Sequence, residues 1–524
     1  KGNLSTQVVD IEITDSYKSD FSLIKNIYSG SIGSNPTDLT AFNDSLLFSA
    51  DNGKKGIELW HSKGTKKTTS LLKDVNKDSG SSNPTGFTTH KNQAYFSATD
   101  GNKGQELWGT NGDKKRTELL ADINPGAASS LPSDLLWFNQ SLFFAADDGL
   151  NGRELWNYNP SSKTAKLVDN IQKNSPGDSS NPTGLTAFNG NLYFAATGDI
   201  YGRELWKSTG ELNKAYRISD INPGGFNSNP EDLAVLGNNL YFTANTSYGD
   251  RAIYKTNGAP NDFTELSISI PEDLTIESVN LTFNTPELLK EAGGNIFYTA
   301  STTKVTRRIV YKTTTKVDDD GNVTTTTSES MKEENILFGR ELWLTDSTIN
   351  GMKFVMDINP GQSSSSPNDF SSINGLLYFS ADDGIHGREL WVSNGTEEGT
   401  ALIADINEGA KDSAPRSIIE VDGVIYFSAK TDKFGRELWR LDDDNQSATR
   451  IVTTGRGKKK LRALDDSSDE FHFELANQFG KGKADQITGF NPADRDQLAL
   501  STNAFQGLSE INLVTVSSNR QLKA

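Results

Sequence analysis

The chain has 524 residues, room for several ordinary domains or for one large repeat domain with an appendage. Only 34% of it is hydrophobic and 46 residues are Gly, a composition of short strands and turns, while 26 Phe and 14 Tyr exclude a disordered chain. A net charge of −17 sets the surface against nucleic acid and anionic membranes, the lack of Cys excludes a disulfide framework, and no apolar run is long enough to span a bilayer.

The first element is "QVVDIEIT" (7–14), an alternating strand with no evident partner among the repeats. Next comes "FSLIKNIYSG" (21–30), which has the pattern of the last strand of a repeat yet precedes the first one. The repeats themselves are marked by Trp60, Trp108, Trp156, Trp206, Tyr254, Trp343, Trp391 and Trp439, 48 or 50 residues apart except across one insertion of about 41 residues. Pro36, Pro84, Pro132, Pro182, Pro230, Pro367 and Pro415 keep the same step, with the sixth repeat ("TIESVNLTF") expected to lack its proline.

Each repeat holds four strand-sized pieces; in the third they are "DLLWFN", "SLFFAAD", "GRELWNYN" and "KLVDNI". Aromatic and β-branched pieces of this length, bounded by Gly, Asn or Asp, are hairpin signals. Four antiparallel strands in about 48 residues predict an all-β chain built as an eight-bladed β-propeller. A propeller closes its ring by pairing strands from both chain ends. Residues 21–30 are the favoured closing strand, with "ATRIVTTG" (448–455) the weaker candidate. The predicted domains are an N-terminal extension (1–20) carrying a donor strand, the propeller (21–456), and a small C-terminal β domain (457–524). Within the sixth repeat, 302–335 alternates in period two around "DDDGN" and reads as an inserted β-hairpin arm, long enough to reach roughly 45 Å.

The pentad Gly-Arg-Glu-Leu-Trp recurs in five repeats and reads as a packing device. Blades are covered on both faces, so each Trp, and Tyr254 in its place, would anchor one blade on its neighbour. The burial is worth on the order of 4–5 kcal/mol per blade before ordering costs. Arg and Glu, one residue apart on a strand, point to opposite faces and would pair only with a neighbouring blade. The Asp-Gly turns before the pentad offer Asp51, Asp100, Asp147, Asp148, Asp382 and Asp383 as candidate Ca²⁺ ligands, against a simple Asx-turn reading. His61, His90, His386 and His472 lie at no repeated position, and neither a nucleophile elbow nor a phosphate-cradling loop is present, so the expectation is a chain that is not an enzyme.

"GRELW", "DDGIHGRELWVSNGTEEGT" (382–400) and "LIADINEG" (402–409) resemble the ELW-repeat proteins, with their ELWxxDGT element, over about residues 20–456. The resemblance implies a secreted bacterial propeller-like domain and little about activity. A second resemblance is to the tryptophan-docking repeats of pyrroloquinoline-quinone dehydrogenases, which implies the same fold; their adjacent Cys pair has no counterpart here, which speaks against that chemistry. The tail 469–508 resembles C-terminal segments of bacterial proteins exported by type I secretion, through Asp485, Ile487, Phe490, Asn491, Pro492 and Asp494. "GRGKKKLRAL" (455–464) stands where their Ca²⁺-binding nonapeptides usually lie. Export through that tail, or prior processing, would each explain why no signal peptide is visible at Lys1.

These readings predict an extracellular or cell-surface protein, non-enzymatic and without a cofactor other than Ca²⁺. Its subunits would self-associate into a fibre or surface layer, with Val8, Ile11 and Ile13 of the first strand and Val305, Ile309, Tyr311, Val317 and Val323 of the arm as the contact residues. The alternative is a monomeric adhesin or glycan-binding propeller, which exposed, non-repeated aromatics on one face would favour; a degenerate quinoprotein-like enzyme is the third.

Overall fold

The computed structural model describes residues 13–17, 21–173, 175, 177–266, 279–317, 323–346, 348 and 351–441, and short strands within 450–523; side chains are described for 21–173, 175, 177–266, 286–301, 339–346, 348 and 351–441. The chain is an eight-bladed β-propeller of four-stranded antiparallel blades. Blade 3 shows the plan, with Ser133–Phe138 innermost, then Ser141–Asp147 and Arg153–Asn159, and Thr164–Asp169 outermost. Its second strand buries Phe143 and Phe144 in succession, because neighbouring blades cover both faces of the sheet. The innermost strands, from Thr37–Phe42 to Arg416–Val421, touch one another in sequence, and the last touches the first, so the ring is closed.

Closure uses the N-terminal strand. Phe21–Lys25 is the outermost strand of blade 8, antiparallel to Gly435–Leu441, with Leu23 opposite Trp439. The other candidate, Arg450–Thr454, pairs instead with Ile13–Tyr17, which meets the outer strand of blade 7 at Ser16 and Leu402. Residues 13–17 therefore pair within their own chain, with the tail strand and blade 7, while 7–12 lie outside the described residues. From Arg450 on, the described strands alternate between two sheets: 450–454, 469–473 and 497–500 join the blade 7 sheet, while 460–462, 486–488 and 522–523 form another.

The sixth repeat does contain its proline, at Pro286. The pairs Glu287–Thr299 and Lys290–Phe297 occupy the register of Glu231–Thr243 and Ala234–Tyr241 in blade 5, so Val279–Ala292 is the innermost strand and Pro286 sits where Pro230 does. Eight extra residues between Tyr254 and Pro286 hid it from the 48-residue ruler. The rest of the insertion is the arm: Asn295–Val317 and Val323–Thr345 remain paired to Val317–Val323, extending the second and third strands of the blade by about 50 Å.

Candidate functional site

The pentad is a joint. Its Glu is fully buried in seven blades, as Glu58, Glu106, Glu154, Glu204, Glu341, Glu389 and Glu437. Each carboxylate gathers the loop that leaves its own blade for the next. Glu154 accepts from Ile171 N (2.9 Å), Gln172 N (3.4 Å), Ser180 N (2.9 Å) and Ser180 Oγ (2.5 Å). At the closure Glu437 takes the same bonds from Ile27, Tyr28 and Ser34, which belong to the other end of the chain. Burial pushes these carboxyls up, to about 7 for Glu58, Glu341 and Glu389, against the lowering pull of the donors.

The Arg grips the loop arriving from the preceding blade. Arg153 donates to Leu131 O at 2.7 Å and to Ser130 O at 3.4 Å, and Ser130 is itself held by Glu106. Arg and Glu of neighbouring blades are thus linked through the loop serine and form no ion pair with each other. Blade 5 carries Ala252 in place of Glu, and Asn284 replaces the serine of the next inter-blade loop, so the two halves of the joint are lost together.

Trp60, Trp108, Trp156, Tyr254, Trp343, Trp391 and Trp439 lie in clusters that join their blade to the one before it, and Trp206 packs half-buried on another; Trp156, for example, meets Tyr95, Leu107 and Ile123 of blade 2. The Ca²⁺ candidates are spread over four hairpins, with oxygens accepting from turn N–H groups. Asp51 takes Gly53 N, Asp100 takes Asn102 N and Lys103 N, Asp147 takes Gly149 N, and Asp148 takes Leu150 N and Asn151 N. Asp382 takes Gly384 N, and Asp383 takes Ile385 N and His386 N. Such Asx turns do not fit a Ca²⁺ cage, which needs six to eight converging oxygens. Among the described residues no group of three His, Asp or Glu could hold a metal ion. Of the assembly candidates, Val8 and Ile11 lie outside the described residues. Ile13, Val305, Ile309, Tyr311, Val317 and Val323 are placed by backbone register alone, with Ile13 opposite Thr454, Ile309 opposite Met331 and Val317 opposite Val323.

Strand reversal puts the turns between second and third strands on the same ring face as the loops between blades. That face carries most of the large exposed apolar side chains. At one turn position blades 1, 2 and 8 have Lys54, Asn102 and Lys433, whereas blades 3, 4, 5 and 7 have Leu150, Ile200, Tyr248 and Ile385. Tyr248 is 92% exposed, and Phe226, on the loop between blades 4 and 5, is 69% exposed. Tyr201 beside them is held flat by the Arg217 guanidinium, 3.8 Å above its ring and paired with Asp220. The arm extends from the corresponding turn of blade 6 and so leaves from this face. At the channel mouth the innermost strands of blades 5–8 line an open hollow of about 540 Å³, where Asp232, Lys290, Asn368, Asp369, Phe370 and Arg416 provide most of the lining.

No family model and no curated protein matches the chain. Solved structures that resemble it include puromycin hydrolase (11% identity, TM-score 0.40, covering 80% of this chain and 62% of that one). A puromycin-hydrolyzing peptidase of Mycobacterium tuberculosis has 10% identity and a TM-score of 0.43, covering 80% and 61%. The β-propeller domain of the Trilobed protease from Pyrococcus furiosus has 11% identity and a TM-score of 0.37, covering 71% and 97%. The chain therefore spans under two thirds of the puromycin hydrolases' length. These neighbours correct the expectation that the chain is not an enzyme. A propeller can be one domain of a protease, so a repeat without catalytic residues does not decide whether its protein is catalytic.

The residues of this face that sequence reasoning passed over are Tyr201, Phe226, Tyr248, Lys290 and Arg416. Phe226, Tyr248, Lys290 and Arg416 depart from the repeat at their positions, and that departure was the signal available; Tyr201 does not, since Phe338 and Phe434 stand at its position in blades 6 and 8.

Proposed function

We propose that the protein is an extracellular binding propeller, an adhesin or glycan-binding module that engages its ligand with the loop face of blades 3–6. The carrying observation is the pair Phe226 and Tyr248, exposed aromatics absent from the equivalent positions of other blades, on the same face as the partly exposed Tyr201. Rigid aromatics among Ser, Gly and Asn give large contact area at low entropic cost, the composition of adaptable recognition loops. Large exposed apolar side chains concentrated on one face mark an interaction site. A glycan array probed with wild type and with the Y248A/F226A double variant tests the reading. Binding by wild type that falls at least tenfold in a variant of unchanged melting temperature supports it; no binding by the wild type refutes it.

A second reading, self-association into a fibre or surface layer, is favoured by the arm, which far outreaches the other turns on that face. Electron microscopy and sedimentation of wild type and of a chain lacking 302–335 separate the two. Oligomers lost on deletion support assembly, and a monomer in both cases rejects it.

A further inference from the structure

In four blades the pentad Arg meets an acceptor at the residue that follows the proline of its own repeat. Arg153 reaches Ser133 Oγ at 2.6 Å, Arg203 reaches Thr183 Oγ1 at 2.6 Å, Arg251 pairs with Glu231 at 2.6 Å, and Arg340 pairs with Glu287 at 3.3 Å. In blade 8 that position is Arg416, so Arg436 has a second guanidinium where other blades offer an acceptor. Arg436 keeps the bonds that Arg153 makes to Ala145 O and Ser130 O, here to Ser428 O (3.1 Å) and Ser413 O (3.5 Å), and adds Ser428 Oγ (3.4 Å). Burial first, and Arg416 second, lower its proton affinity, to about 10.

Arg416 is exposed and lines the channel hollow together with Lys290 and Asn368. Among the described residues its side chain makes no hydrogen bond or ion pair. Two carboxylates share the hollow. Asp369 accepts from Ser417 N at 3.4 Å, and Asp232 accepts from Leu288 N at 2.9 Å and Thr243 Oγ1 at 3.4 Å. Around Asp369 stand three guanidiniums, Arg416, Arg436 and Arg388.

We propose that the channel mouth between blades 6, 7 and 8 is an oxyanion site. Arg416 binds the carboxylate, sulfate or phosphate group of a small ligand through its two-pronged fork, Lys290 adds charge, and Asn368 supplies an amide donor. A hollow of about 540 Å³ accommodates a ligand of one or two sugar rings or an amino-acid derivative. Asp369, beside Arg416, opposes anion binding and so sets the affinity. The inference stands on the juxtaposition of Arg416 and Arg436 and does not need the aromatic patch to bind glycans.

The test titrates the intact protein with sodium acetate, sodium sulfate and sodium phosphate at constant ionic strength, followed by NMR or calorimetry. Arg416→Thr installs the residue found at this position in blades 1, 2 and 4, so the ring should hold. Saturable binding of at least one anion, weakened tenfold or more in R416T and strengthened several-fold in D369N, supports the site. Response to acetate alone assigns an organic carboxylate, and response to sulfate or phosphate alone assigns an ester. Should R416T fail to fold, K290Q is the second variant, expected to weaken binding several-fold. Non-saturable responses in the wild type, or saturable ones unchanged in the folded variants, overturn the proposal.

Discussion

Replacing Glu154 by Ala tests whether the pentad is a joint. The substitution removes the acceptors of Ile171 N, Gln172 N, Ser180 N and Ser180 Oγ at a site closed to solvent. Each buried donor left unpaired costs about 1–3 kcal/mol. The hydroxyl can turn elsewhere, and no carboxylate need then be buried, which leaves a net loss of about 2–4 kcal/mol. An unfolding entropy of roughly 2 cal/mol/K per residue over about 400 residues converts that to a fall of about 2–5 °C in melting temperature. Glu154→Gln should cost about half as much. Its oxygen can still accept from Ser180 and Gln172, while its amide meets the Ile171 N–H. Hydrogen exchange gives the sharper assay, because the Ile171 and Ser180 amides should lose protection in E154A while those of the blade 7 joint keep it. Unchanged melting, with both amides as protected as in the wild type, would refute the joint.

Three further outcomes are expected. The buried pentad carboxyls are raised above their unfolded values, to about 7 for Glu58, Glu341 and Glu389, so the folded state holds the extra protons. Their contribution is complete below the unfolded value and lost as pH rises through 7, so the melting temperature should be higher at pH 5 than at pH 8; a flat or opposite profile rejects the upward shift. Deleting residues 1–25 removes the outer strand of blade 8, which should open the ring at the blade 8–1 seam and expose Trp439, seen as new proteolytic cuts in blade 8 and a red-shifted Trp emission; cleavage spread evenly over the blades counts against it. Asp134→Ala should loosen the seam between blades 3 and 4 by about 1–2 kcal/mol, since Asp134 Oδ1 accepts from Gly184 N at 2.7 Å. Local exchange at Gly184 reads it out, and an unaltered rate contradicts it.

That last bond belongs to a pattern the sequence displays openly. Asp38, Asp134, Asp232 and Asp369 of the odd blades accept from the N–H of Gly86, Gly184, Leu288 and Ser417 in the even ones. The alternation of Asp and Gly two residues after the proline is plain in "SNPTDL", "SNPTGF", "SLPSDL" and "SNPTGL", although a 48-residue ruler averages over it. Blade number, strand count and the closing strand were legible because they rest on periodicity and on one displaced outer strand. The use of the pentad Glu was not, because its partners lie 15 to 26 residues onward, or at the other chain end for Glu437, and are mostly backbone N–H groups, which leave no trace in side-chain identity. Pro286 was missed for a related reason: a ruler counts residues, whereas register counts hydrogen-bonded pairs, and eight extra residues shift only the former.

Holding each blade through backbone N–H groups has a consequence for where new chemistry can arise. The Glu–loop bonds and the inter-blade Trp clusters constrain the loop course and the third strand, but they make no demand on the tip between the second and third strands. The tip can therefore be Lys54, Asn102, Leu150 or Tyr248 without cost to the ring, and in blade 6 it could grow into a paired arm with the blade register beneath it intact. Arg416 is another kind of departure. It takes a position that supplies the pentad Arg with an acceptor in several blades, so it gives up a local bond and sets two like charges together. A tip substitution costs the ring little, whereas this one carries an electrostatic penalty that a bound anion would relieve. That difference ranks Arg416 above the more exposed aromatics as the first residue to substitute in search of a ligand.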